Sequence, residues 1–217
     1  MTAKSAAKTK PGDKKGRVPV IGIVLGVVAV ALIVAVIVTG SEPLGGAEFG
    51  EPSISGPALP SALDYNPVDA TEDPAFGLPI PEVSGQDFSG DPVAIKRDGT
   101  PKAILFVSHS CPHCQDEIPE VQAWINAGGG VDGVELISVS TGASSARGNW
   151  PPSEWLGNAG WTAPVIADDT DLTAFSAYGG LSIPYWVFVD EDGAVTRRNV
   201  GRIEIPALQV AMLESLG

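Results

Sequence analysis

The sequence predicts an α/β domain, a central mixed β-sheet flanked by helices, preceded by a single N-terminal transmembrane helix. Three observations carry this expectation. From Ala103 onward, short apolar runs alternate with segments of helical periodicity. Far upstream, Val18 to Val38 contains no charged residue and is almost entirely Val, Ile, Leu, Ala and Gly. A helix needs about 20 such residues to cross the hydrocarbon core. Finally, Cys111-Pro-His-Cys114 stands where the first apolar run of the domain gives way to a helix.

The 217 residues carry a formal net charge of −13, unevenly spread. Residues 1–17 hold six basic residues and one acid, a local charge of +5, which leaves −18 for the remainder. A body this acidic repels phosphates and excludes a nucleic-acid partner. The basic stretch reads as a cytoplasmic tail by the positive-inside rule. The transmembrane helix over residues 18–39 then contacts the lipid bilayer and leaves the C-terminal domain outside the cytoplasmic membrane. A cleaved secretory signal has an apolar core of about 7–15 residues and a small-residue cleavage site. This run is longer, and no clear Ala-x-Ala site follows it, so an uncleaved single-pass anchor is the better reading. Residues 40–75 are rich in Pro, Gly and acids and read as a linker, because proline at this density prevents regular pairing. Packing of Ile54 to Tyr65 against the domain stays open. Residues 76–217 form the domain, of typical size.

Its elements follow in order. Ala103 to Ser108 is fully apolar up to its last residue and reads as a buried strand. Pro112 to Ala127 places Ile118, Val121, Trp124 and Ile125 at helical spacing, and Gly128 to Gly130 end it. Val134 to Ser140 is a second strand, Pro151 to Ala159 a short helix with prolines at its start, and Val165-Ile166 a brief third strand. Asp171 to Tyr178 reads as a helix closed by Gly179 and Gly180. Tyr185 to Asp190 and Ala194 to Val200 flank a Glu-Asp-Gly turn and form a hairpin. Pro206 to Leu216 is the last helix.

The chemistry concentrates at residues 111–114. At a helix N-terminus, unpaired N–H groups and the helix dipole favour an anion. Cys111 therefore occupies a position that favours the thiolate, the nucleophilic form of cysteine. Pro112 suits the first helical position, where its missing N–H costs nothing. His113 can stabilise the anion further. Cys114, one turn on, is placed to resolve a mixed disulfide formed at Cys111. Metal binding competes with this reading. The chain has only two cysteines and two histidines. A closed tetrahedral zinc site built from His109, Cys111, His113 and Cys114 would be crowded into six residues. A copper site using His109, Cys111 and Cys114 remains as an alternative, since soft thiolates and imidazole suit that metal. So does a non-catalytic anchored binding domain. As an inert staple, a disulfide between Cys111 and Cys114 would close too small a loop to stabilise much.

The stretch from Ala103 to Trp124, AILFVSHSCPHCQDEIPEVQAW, resembles the active-site strand and helix of thioredoxin-like proteins. The spacing of Glu117 and Pro119 resembles their membrane-anchored, extracytoplasmic TlpA-type branch. Ile183-Pro184 resembles the loop that carries the family's cis-proline, and Phe88 to Ile95, with Gly90, its N-terminal hairpin. The resemblance covers roughly Phe76 to Gly217. It implies a thioredoxin-like fold and thiol–disulfide oxidoreductase activity on protein thiols and disulfides outside the cytoplasmic membrane. No cofactor is implied beyond a redox-active Cys111–Cys114 disulfide, recycled by a membrane or extracytoplasmic redox partner. It implies that Cys111 is the nucleophile and Cys114 the resolving thiol. Ile183 and Pro184 would contact bound substrate, and Glu117 would assist proton transfer. Two departures matter. Leu105 stands where thioredoxin has a buried acid on the strand. The dipeptide Pro-His resembles that of disulfide-forming oxidases while the flanks resemble reductive proteins, which leaves the direction of electron flow open.

Trp150, Trp155 and Trp161 cluster after Gly148; core packing is the preferred reading over a docking face. Asp168, Asp169 and Asp171 read as a helix cap. Arg197 and Arg198 are expected on an exposed strand of the last hairpin.

Overall fold

The computed structural model describes residues 1–2 and 48–217. The expected transmembrane helix over 18–39, most of the basic tail and the first part of the linker lie outside the described residues.

Five strands form the main sheet, in the order β6-β5-β4-β7-β8: β4 (Lys102–Val107), β5 (Glu135–Ser140), β6 (Val165–Ala167), β7 (Tyr185–Val189) and β8 (Val195–Val200). β4 runs parallel to β5, and β5 to β6, while β7 and β8 are antiparallel to their neighbours. The mixed sheet expected from the alternation of elements is thus present. Every residue of β4 is buried, as its unbroken apolar run requires of a central strand covered on both faces. Side chains alternate across the sheet. Ala103, Leu105 and Val107 join Trp186 and Phe188 on one face, whereas Ile104 and Phe106 join Tyr185 and Val187 on the other. Lys102 opens this strand as a buried cation. Asp98 at 2.6 Å, Glu135 at 3.3 Å and the Thr100 carbonyl at 3.0 Å compensate its charge.

The first face is covered by three helices: α1 (Pro112–Asn126), α2 (Pro152–Asn158) and α4 (Ile205–Glu214). They contribute Cys114, Ile118 and Val121, then Leu156, then Leu208 and Met212. The second face takes α3 (Thr173–Ala177) and a smaller antiparallel sheet of β1 (Ser53–Ser55), β2 (Glu82–Gln86) and β3 (Pro92–Ile95). The acidic run upstream of α3 caps it, as its composition suggested. Asp168 accepts from the N–H groups of Ala174 and Phe175, and Asp169 from that of Thr173.

Two expectations are corrected here. The linker assigned to residues 40–75 is, from Glu48 on, part of the domain rather than a spacer ahead of residue 76. Ile54 pairs with Val83, and Leu59, Ala62 and Ala75 are buried. Proline density prevented long pairing without preventing packing. The N–H groups of Leu59 and Ala62 each reach a carbonyl at the end of α3, those of Ala177 and Gly179, both at 2.8 Å. Carbonyls at a helix C-terminus lack intrahelical donors, so an extended strand can satisfy them. Gly179 has φ +68°, and a side chain there would collide with the Pro60 carbonyl.

The second correction is Arg198, expected to be exposed and instead 4% exposed. Its guanidinium pairs with buried Asp73 through Nε and Nη2, and Nη1 donates to the Pro60 carbonyl at 2.8 Å and to Tyr185 Oη at 3.1 Å. Arg197, the next residue back, points the other way and pairs with Glu214.

Candidate active site

Cys111 is the N-cap of α1, with extended φ/ψ, and Pro112 occupies the first helical turn. β4 delivers the chain to this point. Its Cys111 sulfur is half-buried, with the Ile183 carbonyl 3.4 Å away as acceptor for the thiol. Cys114 lies fully buried one turn on, and both cysteines are free thiols. Burial pushes the Cys114 thiol up, and nearby Cys111 and Glu117 add to the effect. The pair therefore consists of an accessible sulfur over a buried one held in its protonated form.

Glu117, three residues further along the same helix face, is completely buried. Its Oε1 accepts from Trp186 Nε1 at 3.1 Å and from the Ile203 N–H at 2.9 Å, while Oε2 is buried with no partner. Burial pushes this carboxyl up to about 7 despite both donors. An acid of this kind, with one oxygen uncommitted, can exchange a proton near neutral pH. Leu105 pairs across the sheet with Trp186, so the face that lacks an acid on the strand receives one from the helix instead.

Ile183 and Pro184 close the site from the far side, and the peptide bond between them is cis, as the resemblance implied. Ile183 is half-buried and Pro184 buried. The structure thus brings Cys111, Cys114, Glu117, Ile183 and Pro184 together at the C-terminal end of β4. His113 is exposed on the first turn.

His109, the remaining alternative metal ligand, is fully buried and engaged at both ring nitrogens. Nδ1 donates to the Gly148 carbonyl at 2.7 Å, and Nε2 accepts from the Ser144 N–H at 3.1 Å. These partners fix a neutral ring with its proton on Nδ1 and leave no lone pair for a metal. The copper arrangement of His109, Cys111 and Cys114 is therefore not formed. His109 instead braces the loop between β5 and α2, and Trp150 packs edge-on against its ring at 5.9 Å. Trp161 donates to Ser138 Oγ and Trp155 packs on the α2 side of the core, in keeping with the packing role expected of these tryptophans.

Sequence reasoning missed Trp186, Ile203 and the His109 brace. Trp186 had a usable signal, since strand parity places it on the face where Leu105 and α1 meet. Ile203 lies in an irregular turn, and the backbone N–H it supplies has no signature in sequence.

A family model for AhpC/TSA matches residues 74–198, more than half of the chain. The chain belongs to the AhpC/TSA family. This AhpC/TSA protein matches no curated protein sequence. Among solved structures it is similar to a thiol:disulfide interchange protein of the thioredoxin family from Chlorobium tepidum TLS. That likeness has 24% identity and a TM-score of 0.52, and spans 64% of this chain and 96% of the other. A second Chlorobium tepidum structure, described as a thiol:disulfide interchange protein DsbE, gives 22% identity and a TM-score of 0.52 over 65% and 98% of the two chains. These likenesses show a shared thioredoxin-like fold.

Proposed function

We propose that this AhpC/TSA protein is a thiol–disulfide oxidoreductase of the TlpA type, tethered by residues 18–39 and acting on protein thiols and disulfides outside the cytoplasmic membrane. The observation that carries the activity is the pairing of an accessible Cys111 at a helix N-cap with a buried, protonated Cys114 one turn away. In the reducing direction the Cys111 thiolate attacks one sulfur of a substrate disulfide, and the other substrate sulfur leaves as a thiolate. Cys114 then loses its proton and attacks Cys111, closing the Cys111–Cys114 disulfide and releasing the second substrate thiol. Two electrons pass from the dithiol to the substrate; the oxidising direction is the exact reverse. Glu117 is the buried base for the Cys114 proton. Ile183 and Pro184 offer the backbone against which a substrate strand lies. Support for the tether comes from the charge-free run at Val18 to Val38 behind a basic tail.

The test uses the full chain and a disulfide-bonded protein substrate. Cys114→Ser accumulates a covalent mixed disulfide that dithiothreitol releases, and Cys111→Ser accumulates none. Equal adduct formation by both variants would overturn the assignment. Protease protection in sealed vesicles tests the topology: residues 48–217 are digested only when the extracytoplasmic side is accessible.

A further inference from the structure

A groove of about 360 Å³ opens beside Cys111. Ser108 and Ile183 line it, and the Ile183 carbonyl lies 3.4 Å from the Cys111 sulfur, which puts the groove next to the reactive thiol. Its exposed lining is mostly apolar, from Leu172, Phe175, Leu181 and Ile183 beside the hydroxyls of Ser108, Thr141, Ser144 and Ser182, and Leu181 is 53% exposed. Arg147 is the single charged residue in the lining. Residues 48–217 contain seven cations, and Lys102, Arg197, Arg198 and Arg202 are each paired with a carboxylate. Arg147 is exposed and forms no ion pair among the described residues. Its loop does not hang free, because His109 ties both Ser144 and Gly148, on either side of it, to the base of the active site. Asn149 adds a third tie, its side chain donating to the His109 carbonyl at 3.2 Å.

On an otherwise strongly acidic body, an uncompensated cation held at the rim of an apolar groove next to the nucleophile is a recognition element. We infer that Arg147 is a specificity-determining residue. It selects, among extended polypeptide segments, those in which the reacting cysteine is accompanied by an apolar side chain and by a carboxylate a few residues away. The apolar side chain lies against Leu181 and Phe175, and the carboxylate meets Arg147. This inference rests on the reading of Cys111 as the exchanging sulfur. It adds the substrate class, which neither the fold nor the two cysteines supply.

The experiment uses the full chain in detergent carrying Cys114→Ser. It is offered symmetrical disulfides of peptides that differ only in having Glu, Gln or Lys a few residues from a leucine-flanked cysteine. The rate of covalent capture at Cys111 is read for each, and the Glu-to-Lys ratio is formed within each variant so that changes in intrinsic reactivity cancel. At about 20 mM salt the Glu peptide is captured roughly fivefold faster than the Lys peptide. Arg147→Gln brings the ratio to near unity, Arg147→Glu inverts it, and salt of about 0.5 M flattens all three. Equal capture of Glu and Lys peptides by the unaltered loop overturns the inference and leaves the oxidoreductase reading standing. No capture of any peptide, together with no reaction of Cys111 with the small neutral disulfide 2,2′-dithiodipyridine, overturns that reading and this inference with it.

Discussion

Glu117 Oε1 accepts a hydrogen bond from Trp186 Nε1 at 3.1 Å, while Oε2 of the same carboxyl is buried without a partner. The two oxygens thus do different things. One fixes the side chain between α1 and β7, and the other is free to take a proton.

The first prediction concerns pH. Burial raises the Glu117 carboxyl from 4.5 to about 7 in the folded protein. Between those values the native state holds a proton that the unfolded chain has released. Stability from this group is therefore full below the lower value, falls as pH rises through the window, and is gone above about 7. Glu117→Gln keeps both hydrogen bonds to its oxygen and removes the slope. Urea unfolding at pH 5 and pH 8 should show the variant gaining roughly 2–3 kcal/mol on the parent between the two conditions. Resolution of the mixed disulfide should move oppositely, slowing about 100-fold in Glu117→Gln and losing its rise near pH 7.

A second prediction separates the two thiols. Native protein treated with iodoacetamide near pH 7.5 should incorporate one label, at Cys111. Cys114 should label only after unfolding, because it is buried and its thiol is held protonated. Mass spectrometry of tryptic peptides reads the outcome, and equal labelling of both sulfurs would contradict the layered arrangement.

The Asp73–Arg198 pair gives a third. Removing one member leaves a buried charge unpaired, at a cost of about 3–5 kcal/mol. Arg198→Met should destabilise by that order in denaturant titration, and the double change with Asp73→Leu should recover most of the loss. A chain beginning at residue 76 lacks Asp73, Leu59, Ala62 and β1, and should be less stable than one beginning at residue 48 by at least as much.

Fourth, the Ser144 amide should be strongly protected from hydrogen exchange, since the His109 ring is its sole acceptor among the described residues. His109→Phe keeps the ring volume and removes both nitrogens, so protection at Ser144 should collapse while that of β4 is unchanged. The expected loss of stability is about 1–3 kcal/mol. Retained protection at Ser144 would show that the loop is ordered by other contacts.

Much of this architecture was legible in the sequence because it is written in local patterns. β4, α1, β5 and the β7–β8 hairpin have apolar periods that survive any context, and Cys111, Pro112 and Cys114 declare a helix start. What was illegible depends on partners distant in the chain. Nothing near Arg198 tells that Asp73 will meet it. The proline-rich segment from residue 48 to 75 shows no period, because it packs through isolated backbone contacts rather than a repeating face. For Glu117 the residues by themselves show a helical carboxylate, and a proton-transfer role comes only with the resemblance; its hydrogen bonds to Trp186 and Ile203 come from two other parts of the chain. The His109 brace is hidden for the same reason, as one of its partners is a backbone amide and the other a carbonyl.

The contact between Arg198 and residues 60–73 spans as many as 138 positions. A polypeptide made from its amino end therefore releases this arm early and completes its docking surface only when the last strand has been synthesised. Translation products cut short before β8 lack Arg198 and so cannot hold the arm as the finished protein does.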